Sequence, residues 1–381
     1  RSSDLVKKSH QDWVKPIIYS WGKDGDDPGP TEFLQDFQGI KRPIMAQLKK
    51  KSKILQVGCG NSYLGEDIYD CGIENVTNVD ISPENIIIMP GGKPTMFFCI
   101  LMFGKQGKEI MYPNPGFPIY ESLINYTGAK PVPIKLKEEL NFSFKADEVL
   151  ARINDQTSLI IINSPGNPTG GVIPRKEIDK LVIGLEAYPK VTILSDEIYS
   201  RLLYGKQKHT SFLEFPSIRS RLIVLNGWSK TYAMTGWRLG YSVWPNRLLE
   251  YANRLCVNNH SCVNAASQFA GLAALKGSQN VVNEMLLEFD KRRHFIVSEL
   301  NKIPGISCKE PSGAFYVFPN IKNTGLSSEK AQDNFLELSG VATIAGNSFG
   351  KMGEGFLRFS YANSLEKIEE AMERIKKLLL K

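Results

Sequence analysis

Three short apolar runs recur through the middle of the chain, at residues 159–162 (Leu-Ile-Ile-Ile), 191–194 (Val-Thr-Ile-Leu) and 222–225 (Leu-Ile-Val-Leu). Runs of this length, rich in β-branched residues, predict strands buried on both faces, as in a parallel sheet covered by helices. Each run ends in a polar cluster: residues 163–170, which hold Asn167; residues 195–199, which hold Asp196 and Tyr199; and residues 226–241, which hold Ser229 and Lys230. These side chains are therefore predicted at the carboxyl edge of the sheet, where α/β folds bind ligands. Elsewhere the pattern is helical. Residues 96–103 read as a buried helix, far too short to span a membrane. Residues 281–300 read as a long helix, and residues 364–380 as an amphipathic one with Ser364 as its N-cap. Residues 312–318 have strand character.

The polar clusters carry candidate chemistry. Lys230 is followed eight positions later by Arg238, so one turn offers an amine and a cation. Residues 89–95 (Met-Pro-Gly-Gly-Lys-Pro-Thr) set Gly91 and Gly92 before a predicted helix, and such a turn presents free N–H groups and a positive dipole end to an anion. An aldehyde bearing a phosphate would suit both.

Taken in order, these motifs resemble those of class I/II aminotransferases of pyridoxal-phosphate (PLP) fold type I, in particular the bacterial aspartate aminotransferase-like branch, over residues 83–381. The resemblance implies an α/β fold with a large PLP-binding domain (83–275), its mostly parallel sheet flanked by helices, and a smaller C-terminal α+β domain (276–381). It implies that Lys230 holds PLP as an aldimine and then shuttles the substrate proton, that Asp196 pairs with the pyridine nitrogen, and that Tyr199 and Asn167 face the phenolic oxygen. Arg238, Ser229 and the amides around Gly92 would bind the phosphate. Gly227 departs from a common family pattern, which removes one phosphate hydrogen bond. Phe117 would stack on the ring or serve as a core phenylalanine. Arg358, in residues 356–362 (Phe-Leu-Arg-Phe-Ser-Tyr-Ala), would grip the substrate α-carboxylate through two parallel hydrogen bonds. Lys93 would read a distal carboxylate, or stand solvated at a helix start. The implied reaction moves an amino group between an L-amino acid, aspartate-like by preference, and a 2-oxo acid such as 2-oxoglutarate, in a cytoplasmic homodimer.

Residues 1–82 read differently. Residues 53–62 (Lys-Ile-Leu-Gln-Val-Gly-Cys-Gly-Asn-Ser) form a strand and glycine turn with Gly58 and Gly60, and Asp80 follows about twenty positions on. That spacing is a partial Rossmann-like βα signature, with Asp80 placed for ribose hydroxyls. It resembles the first motif of S-adenosylmethionine (SAM) methyltransferases, but two strands and a helix cannot close such a core. A truncated methyltransferase-like fragment is the expectation. A SAM-binding protein and an inactive PLP-binding chimera are the alternatives, with dimerisation and turnover impaired because no position in 1–82 matches the family's N-terminal glycine and tyrosine.

Composition changes this picture little. A net charge of +7 raises nucleic acid as a partner, but the clusters at 49–53 and 291–293 read as solvated helix faces, and anionic substrates favour a positive cleft equally. Neither nucleic acid nor membrane is expected as a partner. Six cysteines without C-x-x-C spacing favour reduced thiols, and four scattered histidines make a metal site an unexpected feature. No charged stretch leading into an apolar one opens the chain, which agrees with the expectation of a cytoplasmic enzyme.

Overall fold

The computed structural model describes residues 85–379. The glycine turn with Gly58, Gly60 and Asp80, the basic cluster at 49–53 and the junction after residue 82 lie outside the described residues. In chain order, β1 (Ile86–Met89) leads to α1 (Lys93–Phe103), β2 (Glu109–Asn114) to α2 (Ile119–Tyr126), and β3 (Lys130–Lys135) to α3 (Ala146–Leu150). Next, β4 (Thr157–Asn163) leads to α4 (Arg175–Leu185), β5 (Thr192–Asp196) precedes β6 (Leu222–Gly227), and the one-turn α5 (Trp228–Thr231) precedes β7 (Gly240–Val243). Three helices follow: α6 (Asn246–His260), α7 (Ala265–Lys276) and α8 (Asn280–Leu300). The remainder is β8 (Tyr316–Val317), α9 (Ser328–Ser339), β9 (Ile344–Ala345), β10 (Leu357–Ser360) and α10 (Leu365–Leu379).

Seven strands form one sheet in the order β1-β7-β6-β5-β4-β2-β3. Only β7 runs against its neighbours β1 and β6; the other pairs are parallel. Alternation along the buried strands explains why both faces are covered. Ile160 and Ile162 of β4, with Ile193 of β5 and Val224 of β6, enter one core cluster. Leu159, Ile161, Leu194, Ile223 and Leu225 enter the other, on the opposite face with Met96, Phe98 and Ile100 of α1. The continuous apolar runs are the sequence record of this two-sided burial.

A smaller sheet, β8-β10-β9, is antiparallel throughout and packs with α8, α9 and α10 around a third cluster. In α10, Ile368, Met372 and Ile375 are buried at helical spacing, and Ser364 Oγ accepts from the Lys367 amide at 3.3 Å, which is the anticipated cap. Ser327 caps α9 in the same way, and Gly340 ends it in the left-handed region.

The strand expected over 312–318 shrinks to the two residues of β8. The cause is local: the amides of Ser312 and Gly313 both donate to Gly170 O, and that of Ala314 donates to Leu202 O. A Cβ on Gly313 would lie 2.6 Å from Pro165. The segment is bent against two loops before it can pair as a strand. Among the described residues no helix is long and apolar enough to cross a membrane.

Candidate active site

The parallel register brings the ends of β4, β5 and β6 level, with Asn163 opposite Asp196. Asn163 organises the first loop: its Oδ1 accepts from the Asn167 amide at 3.0 Å and its Nδ2 donates to Asp196 O at 3.1 Å. Asn167 is thereby held over the edge of the sheet. Its own Oδ1 accepts from Arg358 Nη1 at 3.0 Å, joining the large sheet to β10.

Asp196 is buried, and Tyr120 of α2 donates to its Oδ2 at 2.5 Å while the Ile198 amide reaches Oδ1 at 3.3 Å. Burial raises its pKa from 3.8 to about 6, against the pull of the Tyr120 hydrogen bond. A carboxylate so placed gains from any positively charged group brought against it. Beside it, buried Glu197 accepts from Ser195 Oγ, Ser211 Oγ, the Phe212 amide and His209 Nε2, all within 3.1 Å. Burial would raise Glu197, but the His209 charge and these donors hold it below the usual carboxylate range.

Lys230 sits in α5, half-buried, with Nζ 5.3 Å over the Phe315 ring and 5.9 Å over that of Tyr199. Its pKa is lowered, first by burial and then by the charges of Arg238, Arg358 and Lys93. None of these four cations has a carboxylate partner among the ion pairs of the described residues. Four clustered basic side chains without carboxylate partners make a site for a ligand with more than one negative group.

Arg238 folds back onto the Gly91 turn: Nη2 donates to Pro90 O, Nη1 donates to Thr235 O, and a Cβ on Gly91 would stand 2.3 Å from Nη2. Gly91 has φ +84°, so the turn needs glycine for its backbone as well as for this approach. Gly92 is the N-cap of α1, and Thr95 in its first turn has a buried hydroxyl without a partner among the described residues. Ser229 is buried, and its carbonyl accepts from Thr235 Oγ1 in the turn that returns to Arg238. Gly227 explains the departure noted in the sequence: a Cβ there would meet Gly240 Cα at 2.8 Å, so β7 excludes a side chain.

Phe117 is half-buried with Lys93 Nζ 5.7 Å over its ring, edge-on to Tyr120. The Arg358 guanidinium lies between the rings of Tyr316, at 4.6 Å, and Phe349, at 4.8 Å. The Tyr199 hydroxyl, expected to face a phenolic oxygen, lies 2.9 Å from that of Tyr316. The structure thus gathers Lys93, Phe117, Asn167, Asp196, Tyr199, Lys230, Arg238 and Arg358 around one sheet edge. Tyr120, Tyr316 and Phe349 were not singled out from the sequence. Tyr120 could have been, since it follows Phe117 at helical spacing; nothing local marks the other two.

A buried acid, a depressed lysine, an arginine on a glycine turn and an unsatisfied hydroxyl at a helix start together fit the ring nitrogen, aldehyde and phosphate of PLP. The comparisons with known proteins agree. The family described as "Aminotransferase class I and II" matches residues 69–375, beginning within the stretch 1–82. An aspartate aminotransferase of Pyrococcus horikoshii is 41% identical over 303 residues, 79% of this chain and 77% of its own. Aromatic-amino-acid aminotransferase 2 of Thermococcus litoralis is 36% identical over 304 residues, 79% of this chain and 78% of its own. The crystal structure of an aromatic aminotransferase from Pyrococcus horikoshii superposes with a TM-score of 0.79 at 35% identity, covering 83% of this chain and 84% of that one. Sequence and geometry converge: the chain belongs to the class I and II aminotransferases, transaminases that use pyridoxal phosphate.

Proposed function

We propose that this enzyme transfers the amino group of aspartate, or a closely similar L-amino acid, to 2-oxoglutarate, with Lys230, Asp196 and Tyr199 as its catalytic residues. The observation that carries the reading is the lowered pKa of Lys230 among Arg238, Arg358 and Lys93, with no carboxylate paired to any of them among the described residues. PLP supplies an electrophilic carbon for the amino group and a ring that takes up the electron pair released at the substrate Cα.

The side chains divide the remaining work. Arg238, Ser229 and the α1 amides beginning at Gly92 hold the phosphate. Asp196 keeps a proton on the ring nitrogen, Phe117 covers one ring face, and Tyr199 with the Nδ2 amide of Asn167 donates to the phenolic oxygen. Arg358 takes the substrate α-carboxylate. Its guanidinium is already oriented by Asn167 and two rings, so little freedom is lost on binding. Lys230 Nζ, whose charged form burial and neighbouring cations disfavour, would take the Cα proton and deliver it to the cofactor carbon that received the amino group. Lys93, exposed at the start of α1, reads the distal carboxylate.

The domain division at residue 275 is supported by the separate core beneath β8, β9 and β10. A homodimer is part of the same proposal; sedimentation would measure it. Cytoplasmic residence belongs to the same proposal and is checked by fractionation.

The test is the visible absorption of the holoenzyme on adding aspartate and then 2-oxoglutarate. The lysine-bound cofactor band should fall and return. A band discharged by phenylalanine and ignored by aspartate would make the substrate aromatic; a band deaf to both would sink the proposal. Lys230→Ala should lose both the band and the activity.

A further inference from the structure

Tyr316 touches two residues that serve different parts of the site. Its hydroxyl is 2.9 Å from that of Tyr199, and its ring lies 4.6 Å from the Arg358 guanidinium. It belongs to β8, where it pairs in register with Ser360, two positions after Arg358 on β10. Tyr316 and Arg358 are therefore carried by one small sheet, while Tyr199 follows β5 of the large one. The next ring in the chain, Phe315, stands 4.7 Å from Tyr316 and faces Lys230.

Two phenols sharing one hydrogen bond can orient it either way. Only when Tyr316 donates does Tyr199 keep its own proton for another acceptor. Burial raises both phenols, so both remain protonated and able to donate. A donor behind Tyr199 also polarises its O–H, strengthening the bond it makes in turn.

We propose that Tyr316 is a positioning residue that couples the grip of Arg358 on a substrate carboxylate to the hydrogen bond Tyr199 gives the cofactor phenolic oxygen. This rests on the roles of Arg358 and Tyr199 proposed above. The ring supports the guanidinium and the hydroxyl supports the phenol, so a carboxylate that draws Arg358 shifts the plate on which both depend.

Two variants separate the functions. Tyr316→Phe keeps the ring and removes the hydroxyl; Tyr316→Leu removes both. The readouts, on holoenzyme, are the pH midpoint of the visible band and the binding of succinate, a dicarboxylate with no amino group to react. Without its second donor Tyr199 stabilises the phenolic oxygen less, so that oxygen holds the proton on the Lys230 nitrogen more strongly. The Tyr316→Phe midpoint should therefore rise by about half a pH unit. Its succinate Kd should stay within about twofold, and the displacement of the midpoint by succinate should shrink. Tyr316→Leu should in addition bind succinate about tenfold more weakly. A Tyr316→Phe enzyme with the wild-type midpoint and wild-type succinate response would overturn the coupling and leave the site assignments standing. A wild-type enzyme whose band ignores succinate would remove those assignments, and the coupling with them.

Discussion

Arg358 donates to Asn167 across 191 positions of chain, and the bond closes at 3.0 Å. It ties the residue proposed for the substrate carboxylate to one proposed for the cofactor, before either ligand is considered. Arg358→Lys would keep the charge and lose the planar fork, the Asn167 bond and the fit between two rings. We expect kcat/KM for aspartate to fall about a hundredfold, mostly through KM, since charged hydrogen bonds are worth about 1.5–3 kcal/mol. Steady-state kinetics against both substrates would measure it, and an unchanged KM would remove Arg358 from the carboxylate site.

Asp196 sets stability against function. Its folded pKa of about 6 stands above the ordinary 3.8, so the favourable contribution of the protonated acid is complete below 3.8 and lost as pH rises through 6. At about 1.4 kcal/mol for each tenfold in proton affinity, the ionised side chain costs the cofactor-free protein about 3 kcal/mol above pH 6. Asp196→Asn should therefore unfold at higher temperature than the cofactor-free parent at pH 8 and lose that advantage near pH 3. Its turnover should fall at least about a hundredfold.

The Glu197–His209 pair lies behind that carboxylate. Burial lowers His209, but the Glu197 charge outweighs it and the folded pKa is raised, so its stabilising effect is complete below 6.5 and fades as pH rises through the folded value. Glu197 is depressed, so its effect is complete above 4.5 and fades on acidification. Both act fully between 4.5 and 6.5. His209→Gln should cost about 3 kcal/mol there, as expected for breaking a buried pair, and less at pH 9. Thermal unfolding of both proteins across pH would show whether the gap narrows.

Gly91→Ala places a Cβ 2.3 Å from Arg238 Nη2 at φ +84°. The backbone strain alone is about 1–2 kcal/mol. Displacement of Arg238 should weaken PLP binding beyond that loss of stability, by about tenfold in Kd. Equilibrium dialysis of the cofactor separates the two effects. Unchanged affinity would argue that Arg238 does not hold the phosphate.

What could be read from the sequence was local. Leu159, Ile193 and Leu222 announce buried strands because two-sided burial leaves no polar positions between them. Lys230 and Arg238 are legible because one turn carries both. Tyr316 carries no such local mark, because its partner Tyr199 lies 117 positions away and no periodicity records a contact made only by folding. Ser312 to Phe318 pairs over less than its aromatic and β-branched composition suggests, because the amides of Ser312, Gly313 and Ala314 are taken by Gly170 and Leu202. The SAM-like motif at Gly58, Gly60 and Asp80 falls outside the described residues.

The reversal of β7 against β6 has a metric consequence. The chain leaves one strand, passes Lys230, turns through Thr235 and re-enters the sheet just after Arg238, with both ends of the excursion anchored by the Gly227–Gly240 register. The excursion sets how far Lys230 and Arg238 stand apart, and the glycine pair sets where it begins and ends. A residue inserted between 235 and 237 should leave the Gly227–Gly240 pairing and the buried Met234 in place. It should alter the distance between amine and guanidinium, the two groups proposed to hold opposite ends of the cofactor.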